Sequence, residues 1–385
     1  MERNLDAMLA ILVEEIERVE ETRKRFGSAL SQIKGELNLG RYPALAADAV
    51  ETQFSKKIEP TDLSGLRIAG VDGGLIRRRF RSIDLILTRG VAVVFQFGPE
   101  EGPSVDFFPS AFPEPVIRPV MLTLPGPELD QLASLERIAA ELRITLSVLD
   151  EYHVDIVLVD GSLFYHPRDR PSVGSAAYEK FQEVIALYRQ LYHKARKKST
   201  ILVGVVKDSR STRIVNILGD ILPHILRNPG VFEMMQGVDY RWLLKFSRDC
   251  DILDTFLEEG ERTFAFKYSA ELIQSTNTLS DDLSIWASSI WVTYLKTARD
   301  DLPIRIEVLV DDSSGVAQVD KALSVILPLS WQHPEYGIPA PVLEADARAR
   351  ISNNETQLIV DRLMALSGLT YTALDRRRSR NPFGG

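Results

Sequence analysis

RIAGVDGG, residues 67–74, decides how this chain is read. Residues 68–71 are a short apolar run of the kind that forms a strand buried on both faces, and the run stops at Asp72. Gly73 and Gly74 follow, and the pair predicts a turn with positive φ. Two more apolar stretches, 80–87 and 91–95, are separated only by Thr88, Arg89 and Gly90, which predicts a meander. Residues 128–150 turn helical, with Leu129, Leu132, Leu135, Ile138 and Leu142 on one side. A second buried-type run, 156–159, ends at Asp160 inside VLVDGSL. A helix at about 176–197 leads to a third run, 201–206, which ends in Lys207-Asp208. The order β-β-β-α-β-α-β, with continuous apolar runs between helices, predicts an α/β core with a mixed sheet.

Outward from this core the patterns change. Residues 1–38 read as one long helix whose Leu5, Leu9, Leu12, Ile16, Val19, Phe26, Leu30, Ile33 and Leu37 follow a 4-3 spacing. Such a seam serves equally a helix folded back on its own domain or an arm of a dimer. Residues 97–127 are rich in proline without periodicity and predict a surface excursion. Residues 215–285 read as mostly helical insertions. Two strands, 290–296 and 304–310, form a predicted hairpin, and helices at 317–328 and 341–365 close the fold. The expected organisation is a helical arm and linker (1–63), a catalytic domain (64–368) and a disordered basic tail (369–385).

Three acids fall where chemistry can use them. Asp72 and Asp160 each close a strand ahead of a glycine, and Glu136 lies on the helix between them. If the first and fourth strands run side by side in the same direction, Asp72 and Asp160 meet and the helix lowers Glu136 toward them. Carboxylates at that distance raise one another's pKa, and a divalent cation removes the conflict. Ligands that are all oxygen favour Mg²⁺ or Mn²⁺ over zinc. Two such ions about 4 Å apart suit phosphodiester cleavage. Arg77, Arg78 and Arg79, with Lys207, Arg210 and Arg213 of the loop KDSRSTR, are candidates to hold a DNA backbone, and Lys207 also to offset transition-state charge.

Composition narrows the alternatives. The chain of 385 residues has 46 basic and 54 acidic side chains, a net charge of −8, which argues against a protein coated in positive charge and leaves room for a local basic groove. The single cysteine, Cys250, excludes an internal disulfide framework. None of the five histidines stands in H-x-x-x-H spacing, so a zinc site of that type is excluded. The acidic start MERNLDAMLAILVEEIER is unlike a secretion signal and no apolar run approaches a membrane span of about 20 residues, so no membrane association and a cytoplasmic location are expected.

RIAGVDGG, the helix SLERIAAEL, DIVLVDGSL and LVGVVKDSRS, in this order, resemble the NurA nuclease family, and DCDILDTFLEEGERT, IWVTYLKTARDDLPIRIEVL and YGIPAPVLEADARARIS are similar to its C-terminal half. The resemblance runs from about residue 64 to 365. It implies an RNase H-like core, a ring-like homodimer, Mn²⁺-dependent 5′-to-3′ cleavage of DNA and docking to the hexameric ATPase HerA, hence roles in DNA repair and homologous recombination. Carried over by position, the ligands are Asp72, Glu136 and Asp160, and Tyr294 takes the family's aromatic position. Where the family has a histidine on its final helix, this chain has Asp346, which still binds a hard cation but lacks imidazole's proton switch near neutral pH.

Two other readings compete. A catalytically silent scaffold of the translocase complex is kept open by Asp346. An ATP-binding protein of the actin and sugar-kinase type also begins with a strand–Asp–Gly turn, but no glycine-rich phosphate loop of the G-x-G-x-x-G or G-x-x-x-x-G-K type accompanies it here.

Overall fold

The computed structural model describes residues 2–42, 48–81, 83–99, 102–121, 124–269, 284–311 and 315–368. The basic tail expected to be disordered lies outside these residues. The chain packs as two units, each assembled from separate stretches: one from Met1–Thr61, Val205–Asn277 and Ala287–Pro339, the other from Asp62–Gly204, Thr278–Trp286 and Ala340–Gly385. In chain order the helices are α1 (Glu2–Gln32), α2 (Gly126–Glu151), α3 (Tyr178–Lys198), α4 (Arg213–Ile225), α5 (Pro229–Met234), α6 (Tyr240–Phe246), α7 (Asp249–Leu253), α8 (Ser284–Ala287), α9 (Gly315–Leu329), α10 (Ala340–Ala349) and α11 (Asn353–Ser367). The strands are β1 (Ser55–Lys57), β2 (Arg67–Arg79), β3 (Asp84–Phe97), β4 (Pro103–Phe108), β5 (Val116–Val120), β6 (Ile156–Asp160), β7 (Ile201–Val206), β8 (Glu261–Thr263), β9 (Phe266–Lys267), β10 (Ile290–Leu295) and β11 (Ile304–Leu309).

The second unit carries the mixed sheet. Its strands lie in the order β7-β6-β2-β3-β4, with β5 also beside β3. β2 runs antiparallel to β3 from Arg67↔Gln96 to Arg79↔Asp84 and parallel to β6 from Ile68↔Ile156 to Val71↔Val159. This is the order of the expected RNase H-like core, with the first and fourth strands side by side and pointing the same way.

Local readings were less accurate than the topology. Gly73 and Gly74 do not turn the chain: β2 continues through them to Arg79, and neither has positive φ. From Asp84 the two stretches expected at 80–87 and 91–95 run on as one strand, β3, whose Gly90 faces Gly73 across the ladder. The glycines serve close approach. A Cβ on Gly70 would lie 2.0 Å from the Pro341 carbonyl oxygen and one on Gly74 1.9 Å from that of Ala349, so α10 rests its backbone on β2. A Cβ on Gly73 would meet Glu141 Cγ at 2.6 Å and one on Gly90 Ile144 Cγ1 at 2.7 Å, which admits α2.

The proline-rich stretch contributes β4 and β5, both paired with β3 on the edge away from β2, the kind of edge position that tolerates proline. The helix expected at 341–365 is two helices. Ser352 breaks it by accepting from the Glu355 N–H while the Glu355 side chain accepts from the Ser352 N–H.

In the first unit β10 and β11 form the expected antiparallel hairpin from Ile290↔Leu309 to Leu295↔Ile304. α1 ends at Gln32, and the heptad seam divides into two environments. Phe26 and Leu30, with Ile33 and Leu37 just beyond the helix, are buried, whereas Leu5, Leu9, Leu12 and Ile16 are exposed. Among the described residues no helix is long and apolar enough to cross a membrane.

Candidate metal centre

Period two along β2 puts Gly70, Asp72 and Gly74 on one face, and the glycines on either side let α10 come down on that face. α10 carries Asp346 between its two points of contact, Pro341 and Ala349. β6 lies parallel to β2 and ends at Asp160, after which Gly161 turns the chain at φ 116°. Here the Asp-Gly pair is turn chemistry, unlike its counterpart in β2. The result is a cluster: Asp72, Asp160 and Asp346 each offer a carboxylate oxygen, and these oxygens lie within 4.8 Å of one another.

The cluster carries an electrostatic cost. Burial, then the neighbouring Asp160, pushes Asp72 up from 3.8 to about 6, although the Gly73 N–H donates to its Oδ1 at 2.7 Å. Asp346 adds to the rise and Arg137 works against it. Hard, negatively charged oxygens in a buried group that ionises reluctantly fit a divalent cation of the Mg²⁺ or Mn²⁺ type, with Asp72, Asp160 and Asp346 as the side chains that would hold it.

Glu136 is not brought into this cluster. It is buried in ion pairs with Arg118 and, at 3.2 Å, with Lys180. The α2 carboxylate that feels the charges of Asp72 and Asp160 is Glu141, five residues on, packed against Gly73 on the other face of β2. Burial raises Glu141 most strongly, its partner Arg137 pulls it down, and the charges of Asp72 and Asp160 push it up again, to about 8. The sequence reading did not single out Glu141 and Arg137, whose charges couple to Asp72 and Asp160. Glu136 and Glu141 are both buried on the same helix, so burial does not tell them apart. The usable signal was the facing pair Gly73 and Gly90, which marks where α2 descends.

None of the remaining candidates is among the three residues of the cluster. Tyr294 belongs to the first unit, is wholly buried, and donates from its hydroxyl to Asp249 Oδ2 at 2.9 Å. Arg213 is also interior and is paired with Asp48, so it does not present its charge to a ligand. Lys207 is half-buried and Arg210 exposed on the loop after β7. Arg77 is exposed beside Asp130. Arg78 is half-buried, and Arg79 donates to the Leu124 carbonyl at 3.2 Å.

The NurA domain matches residues 66–351, most of the chain. This chain belongs to the NurA nuclease family. Among solved structures, the NurA nuclease from Sulfolobus solfataricus is 15% identical, with 89% of this chain and 97% of that one covered at a TM-score of 0.49. A NurA bound to dAMP and manganese is 13% identical, with 96% and 98% covered at a TM-score of 0.43. An endonuclease V from Bacillus subtilis is 14% identical, with 81% and 88% covered at a TM-score of 0.31. No curated protein matches the sequence.

Proposed function

We propose that this NurA-family chain hydrolyses DNA phosphodiesters with divalent cations held by Asp72, Asp160 and Asp346. The observation that carries the reading is the convergence of these three carboxylates within 4.8 Å, with Asp72 raised to about 6. Bound ions, in our reading two of Mn²⁺ or Mg²⁺, would supply water activation and neutralise charge on the departing oxygen. Asp346 then does the work of the family histidine, and its place in the cluster argues against a silent scaffold. Glu141 takes the role expected of Glu136, and its raised pKa keeps it protonated at neutral pH until a cation arrives. Lys207 and Arg210 hold the strand by its phosphates, which positions the strand without reading sequence.

The finer reading follows the family: 5′-to-3′ exonuclease action, with single-strand endonuclease action beside it, a homodimer, and a HerA-type hexameric ATPase that feeds DNA in during end processing in the cytoplasm. End-labelled duplexes incubated with Mn²⁺ test both levels. Wild type should release label from the 5′ end first, and Asp72→Asn, Asp160→Asn and Asp346→Asn should each lose cleavage while keeping a native circular dichroism spectrum. Full activity in all three variants would remove the assigned centre. Release from the 3′ end would keep the centre and reverse the polarity.

A further inference from the structure

The loop after β7 alternates. Ser209 and Arg213 are buried and Ser211 half-buried, whereas Asp208, Arg210 and Thr212 are exposed. Each inward residue is tied down. Ser209 Oγ lies 3.4 Å from the Tyr294 hydroxyl, and Ser211 hydrogen-bonds the Asp249 carboxylate through its side chain. The Ser211 carbonyl also accepts from the Asp249 N–H at 3.0 Å. Arg213 Nε donates to Asp48 at 2.7 Å.

Asp249 is the centre of this arrangement. It is wholly buried, and the hydroxyl of Tyr294, equally buried, donates to it at 2.9 Å. α4 begins at Arg213, and its N-cap Thr212 supplies no side-chain acceptor. Asp249, from a segment more than thirty residues away, supplies one instead: its Oδ1 accepts the Val215 N–H at 2.9 Å, and it also accepts from the backbone of Ile214. A carboxylate at a helix N-terminus is stabilised by the free N–H groups and the macrodipole. One buried acid therefore closes the first turn of α4 and pins the loop that precedes it, and Tyr294 fixes the second carboxylate oxygen while it holds Ser209.

We propose that Asp249 and Tyr294 are positioning residues, whose hydrogen bonds into Ser209, Ser211 and the first turn of α4 hold the 207–212 loop so that Lys207 and Arg210 meet the phosphates of a DNA strand. This rests on the nuclease reading above. It gives Tyr294 a task consistent with its burial, since a phenol with no exposed surface does not touch substrate. A loop already fixed in its binding shape loses less conformational freedom when the strand arrives, so the clamp acts on affinity.

The test is binding of a fluorescent single-stranded oligonucleotide by the full chain in EDTA, from low to moderate salt, beside steady-state cleavage in Mn²⁺. Replacing Lys207 and Arg210 together by Ala should reduce the slope of log affinity against log salt by about 1.4, the value for two phosphate contacts on a single strand. Asp249→Asn and Tyr294→Phe should weaken binding by about tenfold, lower the slope in the same direction and raise KM more than they lower kcat. Arg210→Ala added to Asp249→Asn should cost less than it does alone, because the arginine is already out of place. A purely structural role would lower the thermal midpoint and leave the salt slope unchanged. Folded Asp249→Asn or Tyr294→Phe with the wild-type slope overturns the clamp, as does an unchanged slope in the Lys207 and Arg210 variant. Should both clamp variants fail to fold, Ser209→Ala removes one hydroxyl and is held to the same criterion. Wild type that binds DNA but never cleaves it defeats the nuclease reading while the binding series still judges the clamp; wild type that binds no DNA defeats both.

Discussion

Asp72 pays for its position. A carboxylate whose pKa in the folded chain lies above its ordinary value is held against its charge, so at neutral pH the ionised form destabilises the metal-free fold and the cost fades as pH falls below about 6. The rise from 3.8 to about 6 corresponds to about 3 kcal/mol at most. Asp72→Asn, which keeps an acceptor for the Gly73 N–H, should therefore raise the urea midpoint of the metal-free protein at pH 7.5, by the equivalent of about 1–3 kcal/mol, while it abolishes cleavage. A lower midpoint would mean that the acid is satisfied without a cation. At this scale the sequence was informative at Asp72 and Asp160, each of which follows a buried apolar run: Asp160 does end its strand, whereas Asp72 lies inside β2, and the parallel register of the two strands still sets them side by side. It was less so on α2. Which of Glu136 and Glu141 packs over β2 depends on how the helix is rotated about its axis, and Gly73 and Gly90 on the sheet beneath set that rotation. Asp346 was placed by family resemblance, and no pattern in α10 announces it.

Elements were legible in kind and misread in extent. Periodicity separates helix from strand, but a glycine inside a strand looks like a turn unless the layer above it is known. β2 and β3 read as shorter pieces for this reason, and their glycines prove to be the seats of α2 and α10. Gly74→Ala tests the seat directly. The new methyl would stand 1.9 Å from the Ala349 carbonyl oxygen, which belongs to backbone and does not swing aside, so a loss of about 3 kcal/mol in urea unfolding is expected, together with impaired cleavage through displaced Asp346. An unchanged stability would show that α10 sits more loosely on β2. α1 offers the converse case. One uninterrupted heptad seam covers two environments, and spacing alone does not reveal where the cover ends. Leu30→Ala should cost about 2–5 kcal/mol, as for a fully buried leucine. Leu12→Ala, more than half exposed, should stay within about 0.5 kcal/mol in the monomer. Equal losses would place a partner over the N-terminal half of α1.

For the whole molecule, metal binding joins protonation to folding. The chain is acidic, with a net charge of −8, and its cluster adds three carboxylates in one place, two of which, Asp72 and Asp160, also act on Glu141. Hydrophobic pattern gave the class of fold, yet did not show that each unit is assembled from discontinuous stretches, since that depends on contacts between residues far apart in the chain. The linkage follows from the two raised acids. Above about 6 Asp72 is ionised and available to a cation; as pH falls through that value a proton takes its place. A cation at a hundred times its dissociation constant stabilises a fold by about 2.7 kcal/mol. The rise in thermal midpoint given by Mn²⁺ at pH 7.5 should therefore shrink as pH is lowered through 6, while the metal-free midpoint loses none of its value from Asp72. Glu141 adds a second signature, because at neutral pH it still holds its proton, its pKa being about 8. A cation that draws it into the site must expel that proton. Calorimetric titration with Mn²⁺ at pH 7 in two buffers of different ionisation enthalpy should report release of about one proton per protein, falling toward zero in Glu141→Gln. Titration heats that do not depend on the buffer would exclude Glu141 from the centre and leave Asp72, Asp160 and Asp346 to hold the cation alone.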